Sequence, residues 1–403
     1  MADKMHLPFG TISIPEKSKR LINEALDTTF VSSGKLVRAF EKGFAGLLGV
    51  KHSVAVSTGT DADALALAVL HDLGAQKDDE VIVPSLSFVA TGNAVVHARF
   101  TPKFVDIERD TLNIDVSKIE AAITDRTRAI MPVHLMGKPA DMDPIMEIAD
   151  KHNLIVVEDA AEAHGGRYKG RLLGSIGHMS AFSLYVAHII STIEGGVVAT
   201  NDEKFAEILF SLRAHGRACS CVKCVLSTTQ TYCDKRFDEN GEDIRFTFPR
   251  LGYSCKMNEL EAAVGVGNID LYEEITGVRH RNLMYVLDRF DKFSPFLSTI
   301  RQEEWEKIGP HAIPIVINEE ASFTRAEFTA YLEENGIETR TLFQSMPTQC
   351  PGFAYLGYKE GEFPVAEYMG KYGLHIGTHQ DLTLEHMQYF LDTVERFLTE
   401  RQD

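Results

Sequence analysis

Short apolar runs alternate with amphipathic stretches between about residues 50 and 200. Residues 81–83, 101–105, 129–133 and 154–157 are apolar runs ended by polar or turn residues, and they predict buried strands. Residues 181–185 and 196–199 predict two more. Between them, residues 61–73, 89–98, 116–122 and 144–152 carry helical periodicity. Alternation of this kind implies crossover connections and a largely parallel sheet covered on both faces.

The pattern breaks at about residues 218–250, a stretch rich in Cys, Thr, Asp and Glu that reads as a long inserted loop. Loops of that length without periodicity are usually functional or disordered. Helical periodicity resumes at 258–271 and continues to about 290. Residues 313–317, 325–335, 337–341 and 386–399 then suggest a smaller α+β unit. The expected organisation is a large domain over 1–270, with an N-terminal arm and the inserted loop, and a small domain over 271–403. Neither internal repeats nor low-complexity segments interrupt it.

A chain of 403 residues accommodates two domains and a large core, and 44% hydrophobic with 25% charged residues is ordinary for a globular protein. The formal charge of −17 argues against a nucleic-acid binder. It leaves room for an anionic ligand, because a helix N-terminus can hold phosphate on an acidic protein. No apolar run approaches the roughly 20 residues that span a bilayer. The first ten residues lack the pattern of a secretion signal. A cytoplasmic enzyme without membrane contact is the expectation. Six cysteines are too few for a disulfide scaffold, yet Cys219, Cys221, Cys224 and Cys233 fall within fifteen residues.

Gly59 and Thr60 follow the apolar run 54–56 and open a helix, where free N–H groups and a hydroxyl suit a phosphate as well as an ordinary cap. Glu158 and Asp159 end an apolar strand, the edge at which open α/β sheets bind ligands; a solvated loop carboxylate is the alternative. Ser183 precedes His188 by five residues, and Thr192-Ile193-Glu194-Gly195-Gly196 follows. Together with Pro84-Ser85-Leu86-Ser87-Phe88, Arg213-Ala214-His215-Gly216 and Asn258-Glu259-Leu260-Glu261-Ala262-Ala263, this ordered set resembles the DegT/DnrJ/EryC1/StrS sugar aminotransferase family. The resemblance runs from about Leu7 to the C-terminal helix.

It implies an α/β fold of the aspartate-aminotransferase type, a fold type I vitamin-B6 enzyme. A mostly parallel seven-stranded sheet would form the large domain, beside a smaller C-terminal α+β domain. The cofactor would be pyridoxal 5'-phosphate or pyridoxamine 5'-phosphate. Gly59, Thr60 and Ser183 would hold its phosphate, Asp159 its pyridine nitrogen, and Glu162 would approach its 3-oxygen, with Phe88 stacked on the ring. Active sites in the family lie between the subunits of a homodimer, so His215 or Ser254 would come from the partner subunit. Ser254 stands where the family has asparagine, and its shorter reach weakens the expected phosphate contact.

The aminotransferases of the family carry lysine where this chain has His188. Imidazole cannot form the stable imine, but it serves as a general base near its unperturbed pKa of about 6.5. The replacement resembles the branch of 4-keto-6-deoxysugar 3-dehydratases. In these, pyridoxamine phosphate condenses with the sugar's 4-keto group, histidine removes a C4′ proton, and the C3 hydroxyl leaves. Tyr185-Val186-Ala187-His188 and Gly377-Thr378-His379-Gln380 are similar to that branch, although Ile189 stands where many members have a second histidine. The implied substrate is a nucleotide-linked keto-sugar in deoxysugar or lipopolysaccharide O-antigen biosynthesis. Arg340 is a candidate for its diphosphate, or else a surface ion-pair partner; His215 and His379 are further candidates on the substrate side. An aminotransferase tolerating histidine, an inactive member and a cofactor-binding regulator are the alternatives.

Some of these dehydratases, acting on CDP-sugars, hold a two-iron cluster through a Cys-x-Cys pair, a later Cys and an earlier one. Cys219-Ser220-Cys221 and Cys233 match the pair and the later ligand, while the earlier position is Ala161, leaving Cys224 as a replacement. Four thiolates suit [2Fe-2S], tetrahedral zinc or no metal at all. A redox cluster would require a reductase partner. Without one, the product would hydrolyse and release ammonia, and an amino donor such as glutamate would restore the cofactor.

Overall fold

A computed structural model describes residues 5–219, 221, 225 and 232–401; Cys224 lies outside them. Its central sheet has seven strands, in the order β1 (His52–Val56), β9 (Gly196–Thr200), β8 (Met179–Ser183), β5 (Ile155–Asp159), β4 (Thr127–Ile130), β2 (Glu80–Pro84) and β3 (Thr101–Val105). All neighbours from β8 to β3 pair parallel, whereas β9 runs antiparallel to both β1 and β8. Every residue of β2, β8 and β9 is buried, because helices cover both faces. This is the fold type I architecture expected of a B6 enzyme.

The element boundaries shift in informative ways. The apolar run at 129–133 leaves the ladder after Ile130, and Val133 returns only as a bridge to Asp159. The helix expected over 61–73 starts at Gly59 and tightens into a 3₁₀ turn, Val69–Leu73. The stretch from 258 to 290 is two helices, Glu259–Asp270 and Tyr272–Leu287, separated at Leu271. Helices Glu16–Thr28, Lys35–Leu48, Glu203–Leu212 and Pro364–Tyr372 are additional to the elements expected from the sequence.

A second sheet is antiparallel, in the order β10 (Leu297–Ser298), β12 (Ala312–Ile317), β14 (Gly373–Gly377) and β13 (Thr339–Thr341). A third joins β11 (Glu306–Lys307), β6 (Arg167–Tyr168) and β7 (Arg171–Leu172). Gly137 and Gly309 cross backbone to backbone: a Cβ on Gly137 would lie 1.8 Å from the Gly309 carbonyl oxygen, so no side chain fits there. The N-terminal arm also reaches the second sheet. Leu7 bridges Ile337, and the Phe9 N–H donates to Glu338 Oε2 at 2.8 Å.

Glu259 ties two helices together. Its carboxylate accepts from the N–H groups of Gly34, Leu36 and Val37 at 2.8, 3.0 and 2.9 Å, satisfying the N-terminus of Lys35–Leu48. Only 1% of Glu259 is exposed, so Glu259→Ala would leave buried donors without acceptors. A loss of roughly 3 kcal/mol is expected. Urea denaturation of both proteins would test this; an unchanged midpoint would refute it.

Candidate active site

The site is built at the C-terminal edge of the central sheet, where β5 and β8 end at Asp159 and Ser183. Helix Gly59–Ala68 points its N-terminus there. Thr58 caps it by accepting from the Asp61 N–H at 3.0 Å, while the Ser57 and Thr58 hydroxyls donate to Asp61 Oδ2. Gly59 lies so close to β8 that a Cβ would meet the Ser183 Cβ at 2.6 Å and its Oγ at 2.8 Å. The structure therefore brings together Gly59, Thr60 and Ser183, a helix N-terminus beside a hydroxyl, which suits a phosphate.

Asp159 is buried. Its Oδ2 accepts from Thr91 Oγ1 at 2.7 Å and its Oδ1 from the Ala161 N–H at 3.2 Å. Burial still pushes its carboxyl above the usual range, against the lowering effect of those two bonds. A cationic pyridine nitrogen would supply the missing counter-charge. Nearby, Asp63 is also buried with no partner for Oδ1, and burial raises its carboxyl well above normal. Phe88 caps helix Val89–His97 with 57% of its surface exposed, tilted against Phe343 at 5.6 Å between ring centroids. An exposed aromatic face beside buried carboxyls suits stacking on a planar ring. The donor set thus fits a pyridoxal-type cofactor.

Glu158, in contrast, is structural. It accepts from the N–H groups of Gly174, Ile176 and Gly177 and meets His134 Nε2 at 2.9 Å, with both side chains fully buried.

His188 is partly buried, and its Nδ1 lies 2.8 Å from the Ala161 carbonyl oxygen. A carbonyl only accepts, so Nδ1 carries the proton and Nε2 keeps the lone pair. Burial lowers the imidazole to about 4; the Ala161 carbonyl opposes this, while Arg279 and Arg340 add to it. At neutral pH His188 is a free base. Glu162 lies close by: its Oε2 accepts from the Met136 N–H at 2.7 Å, and burial raises its carboxyl to about 8.

Other residues singled out in the sequence lie in different settings. Arg340 is exposed on β13, with its guanidinium 3.8 Å above the Phe9 ring and 3.8 Å from Glu338 Oε1. His379 is 2% exposed and its Nε2 contacts the Pro8 carbonyl oxygen at 3.1 Å, holding the N-terminal arm. His215, at φ 69°, and Ser254 are exposed neighbours on paired segments, Ala214 bridging Ser254. Among the described residues no group of three or more His, Cys, Asp or Glu side chains is arranged to hold a metal. The expected iron–sulfur or zinc site at Cys219, Cys221, Cys224 and Cys233 therefore has no support in the described residues.

Sequence reasoning missed His311, His375 and Arg279, all within the buried surroundings of His188. The His311 ring centroid is 5.2 Å from that of His188, and His375 lies 5.2 Å from Phe9. Arg279, 1% exposed, donates to the carbonyl oxygens of His188 and His311 at 3.4 and 3.5 Å and to Gln380 Oε1 at 3.0 Å. A cavity of about 590 Å³, lined in part by Glu108, Lys138, Arg301 and Trp305, contains none of these residues. Burial raises Glu108 in that cavity, but the strongly perturbed groups belong to the titratable cluster.

Fold and site together define a B6-binding α/β enzyme. The sequence profile of the DegT/DnrJ/EryC1/StrS aminotransferase family matches residues 13–395, and the chain belongs to that family. It is 35% identical over 387 residues to a GDP-perosamine synthase of Caulobacter vibrioides, covering 95% of this chain and 96% of that protein. It is 33% identical over 383 residues to a GDP-4-keto-6-deoxy-D-mannose 3-dehydratase of Yersinia pseudotuberculosis, covering 93% and 95%. The solved structure of the E. coli GDP-4-keto-6-deoxy-D-mannose-3-dehydratase with bound hydrated PLP superposes with a TM-score of 0.85 at 29% identity, over 97% of this chain and 100% of that one. Among the described residues no helix is long and apolar enough to cross a membrane.

Proposed function

We propose that this chain is a B6-dependent dehydratase that removes the C3 hydroxyl of a nucleotide-linked 4-keto-6-deoxysugar, with His188 as the base. The observation that carries this reading is an imidazole with Nδ1 tied to Ala161 and Nε2 left bare, at the position where the family's aminotransferases have lysine. The relatives' names point to GDP as the nucleotide.

Gly59, Thr60 and Ser183 would hold the cofactor phosphate, Asp159 the pyridine nitrogen, and Phe88 the ring face, with Glu162 near the 3-oxygen. When bound, pyridoxamine phosphate supplies an amine for the 4-keto group and a ring that delocalises charge. His188, with Nδ1 tied to Ala161, would take up the proton released in the reaction on Nε2. The same nitrogen returns a proton to the departing C3 oxygen, which leaves as water, and the imidazole ends neutral. Arg340 would attract the substrate diphosphate; in support, it lies close enough to His188 to lower its imidazole electrostatically. Exposed Phe246, Phe248 and Leu251, beside Ser254, support a dimer in which that segment is covered by a second copy.

Purified protein incubated with pyridoxamine phosphate, glutamate and GDP-4-keto-6-deoxymannose is expected to yield a 3-deoxy ketosugar. An aminosugar as product would overturn the proposal. It would favour the second reading, a sugar aminotransferase, which the similarity to GDP-perosamine synthase supports.

A further inference from the structure

The crossing of Gly137 and Gly309 has a chemical result. It sets Met136, whose N–H holds Glu162 Oε2, against the strand entry that carries His311. Glu162 Oε1 then lies 3.4 Å from His311 Nε2, within the reach that a small rotation closes to a hydrogen bond. His311 is 5% exposed, and its Nδ1 has no partner in the protein. Buried polar atoms of this kind are nearly always paired, so the orphan nitrogen requires a group from outside the chain.

We propose that Glu162 and His311 share one proton, and that its position decides whether His311 offers a bound ligand a donor or an acceptor at Nδ1. Glu162 Oε2 already receives the Met136 N–H and acts as the carbonyl-like oxygen. With Glu162 protonated, Oε1–H donates to His311 Nε2, and the imidazole proton resides on Nδ1. His311 then presents a buried N–H to a hydroxyl or carbonyl oxygen of the ligand. When Glu162 ionises, Nε2 takes the proton to face the carboxylate and Nδ1 becomes an acceptor. The change is one proton lost to solvent and one moved between the two ring nitrogens. His311 is thus a positioning residue, alongside the base His188.

The surrounding charges keep His311 neutral throughout. Burial lowers it well below 6.5, and the charged Arg279 and Arg340, which face it, add to that; His188 and His375 also face it and would add to it only when protonated. Glu162 faces Asp159 and His311; burial and Asp159 raise it to about 8, so the exchange of roles falls near pH 8.

The test uses protein with ¹⁵N-labelled histidine side chains, free of cofactor and substrate, and long-range ¹H–¹⁵N correlation spectra. The His311 signals are assigned by their absence in His311→Asn, or by contact with the Phe9 ring if that variant does not fold. At pH 6.5 the expected pattern is a protonated Nδ1 and a bare Nε2, exchanging to the opposite pattern through pH 8. In Glu162→Gln the amide donates permanently, so Nδ1–H should persist to pH 9 while His188 keeps its own tautomer. A protonated Nε2 at pH 6.5, or an unchanged transition in Glu162→Gln, would overturn the proposal. Since no substrate is present, the result is independent of whether the sugar is dehydrated or aminated.

Discussion

His188→Asn is expected to slow the proposed dehydration by about 10²- to 10⁴-fold, the usual contribution of a general base, with little change in stability. Asparagine retains an N–H that can donate to the Ala161 carbonyl, so the local fold keeps its 2.8 Å anchor. What disappears is the second nitrogen, the only atom of the side chain able to accept the proton. Steady-state kcat with a GDP-linked 4-ketosugar, alongside the thermal midpoint, separates the two effects. Full activity in the variant would remove His188 from the mechanism. The acidic limb of kcat/KM in the unaltered protein adds a second check. Because the surroundings hold His188 at about 4, the activity it controls should persist to lower pH than a free imidazole, near 6.5, would allow.

Acidification from pH 6.5 towards 4 is expected to destabilise the folded protein steeply. His164 and His375 sit at about 3, His188 and His379 at about 4, and His311 lower than normal, in each case chiefly through burial. Below pH 6.5 the unfolded chain protonates these five imidazoles while the folded one does not. Each therefore removes about 1.4 kcal/mol per pH unit down to its folded value. Glu162, Asp159 and Asp63 act in the opposite direction, since burial raises all three. They retain protons in the folded state that the unfolded state releases, so they favour folding as pH falls towards 4. His178 and His280 are also lowered, and Glu108 and Glu261 also raised, so seven against five leaves about two protons' worth, roughly 3 kcal/mol per pH unit. Against a total stability of about 5–15 kcal/mol, that suffices for unfolding near pH 4. Between pH 8 and 6.5 the raised carboxyls, with Glu162 at about 8, act before the imidazoles do, so stability should rise on acidification and peak near pH 6.5. Calorimetric midpoints from pH 4 to 9 would show this peak; a flat profile between 7 and 5 would contradict it.

Some of the groups legible in the sequence share a local signature. Gly59 and Asp159 each stand where an apolar run gives way to a turn, and such positions become the sheet's C-terminal edge whenever strands and helices alternate; Ser183 and His188 were legible through the family resemblance. The same alternation predicted a largely parallel sheet, while the count of seven strands came with the family resemblance. Helices Glu16–Thr28 and Lys35–Leu48 were overlooked because they precede the alternating region, not because they lack amphipathicity. The cysteine cluster shows the reverse hazard. Proximity in sequence suggested a metal site, but ligation requires converging side chains, and the described thiols provide no such group.

By itself, the sequence determined the fold class, the family, and the presence of histidine where lysine is usual. These follow from periodicity and residue identity, which are properties of short segments. Only the tertiary structure decided the state of that histidine. Its tautomer depends on the carbonyl of Ala161, 27 residues earlier, and its neutrality on burial with Arg279 and Arg340 nearby. His311 and Glu162 face each other because two glycines let distant backbones cross. Such proximities are set by long-range packing, so the chemistry they confer leaves no trace in local pattern.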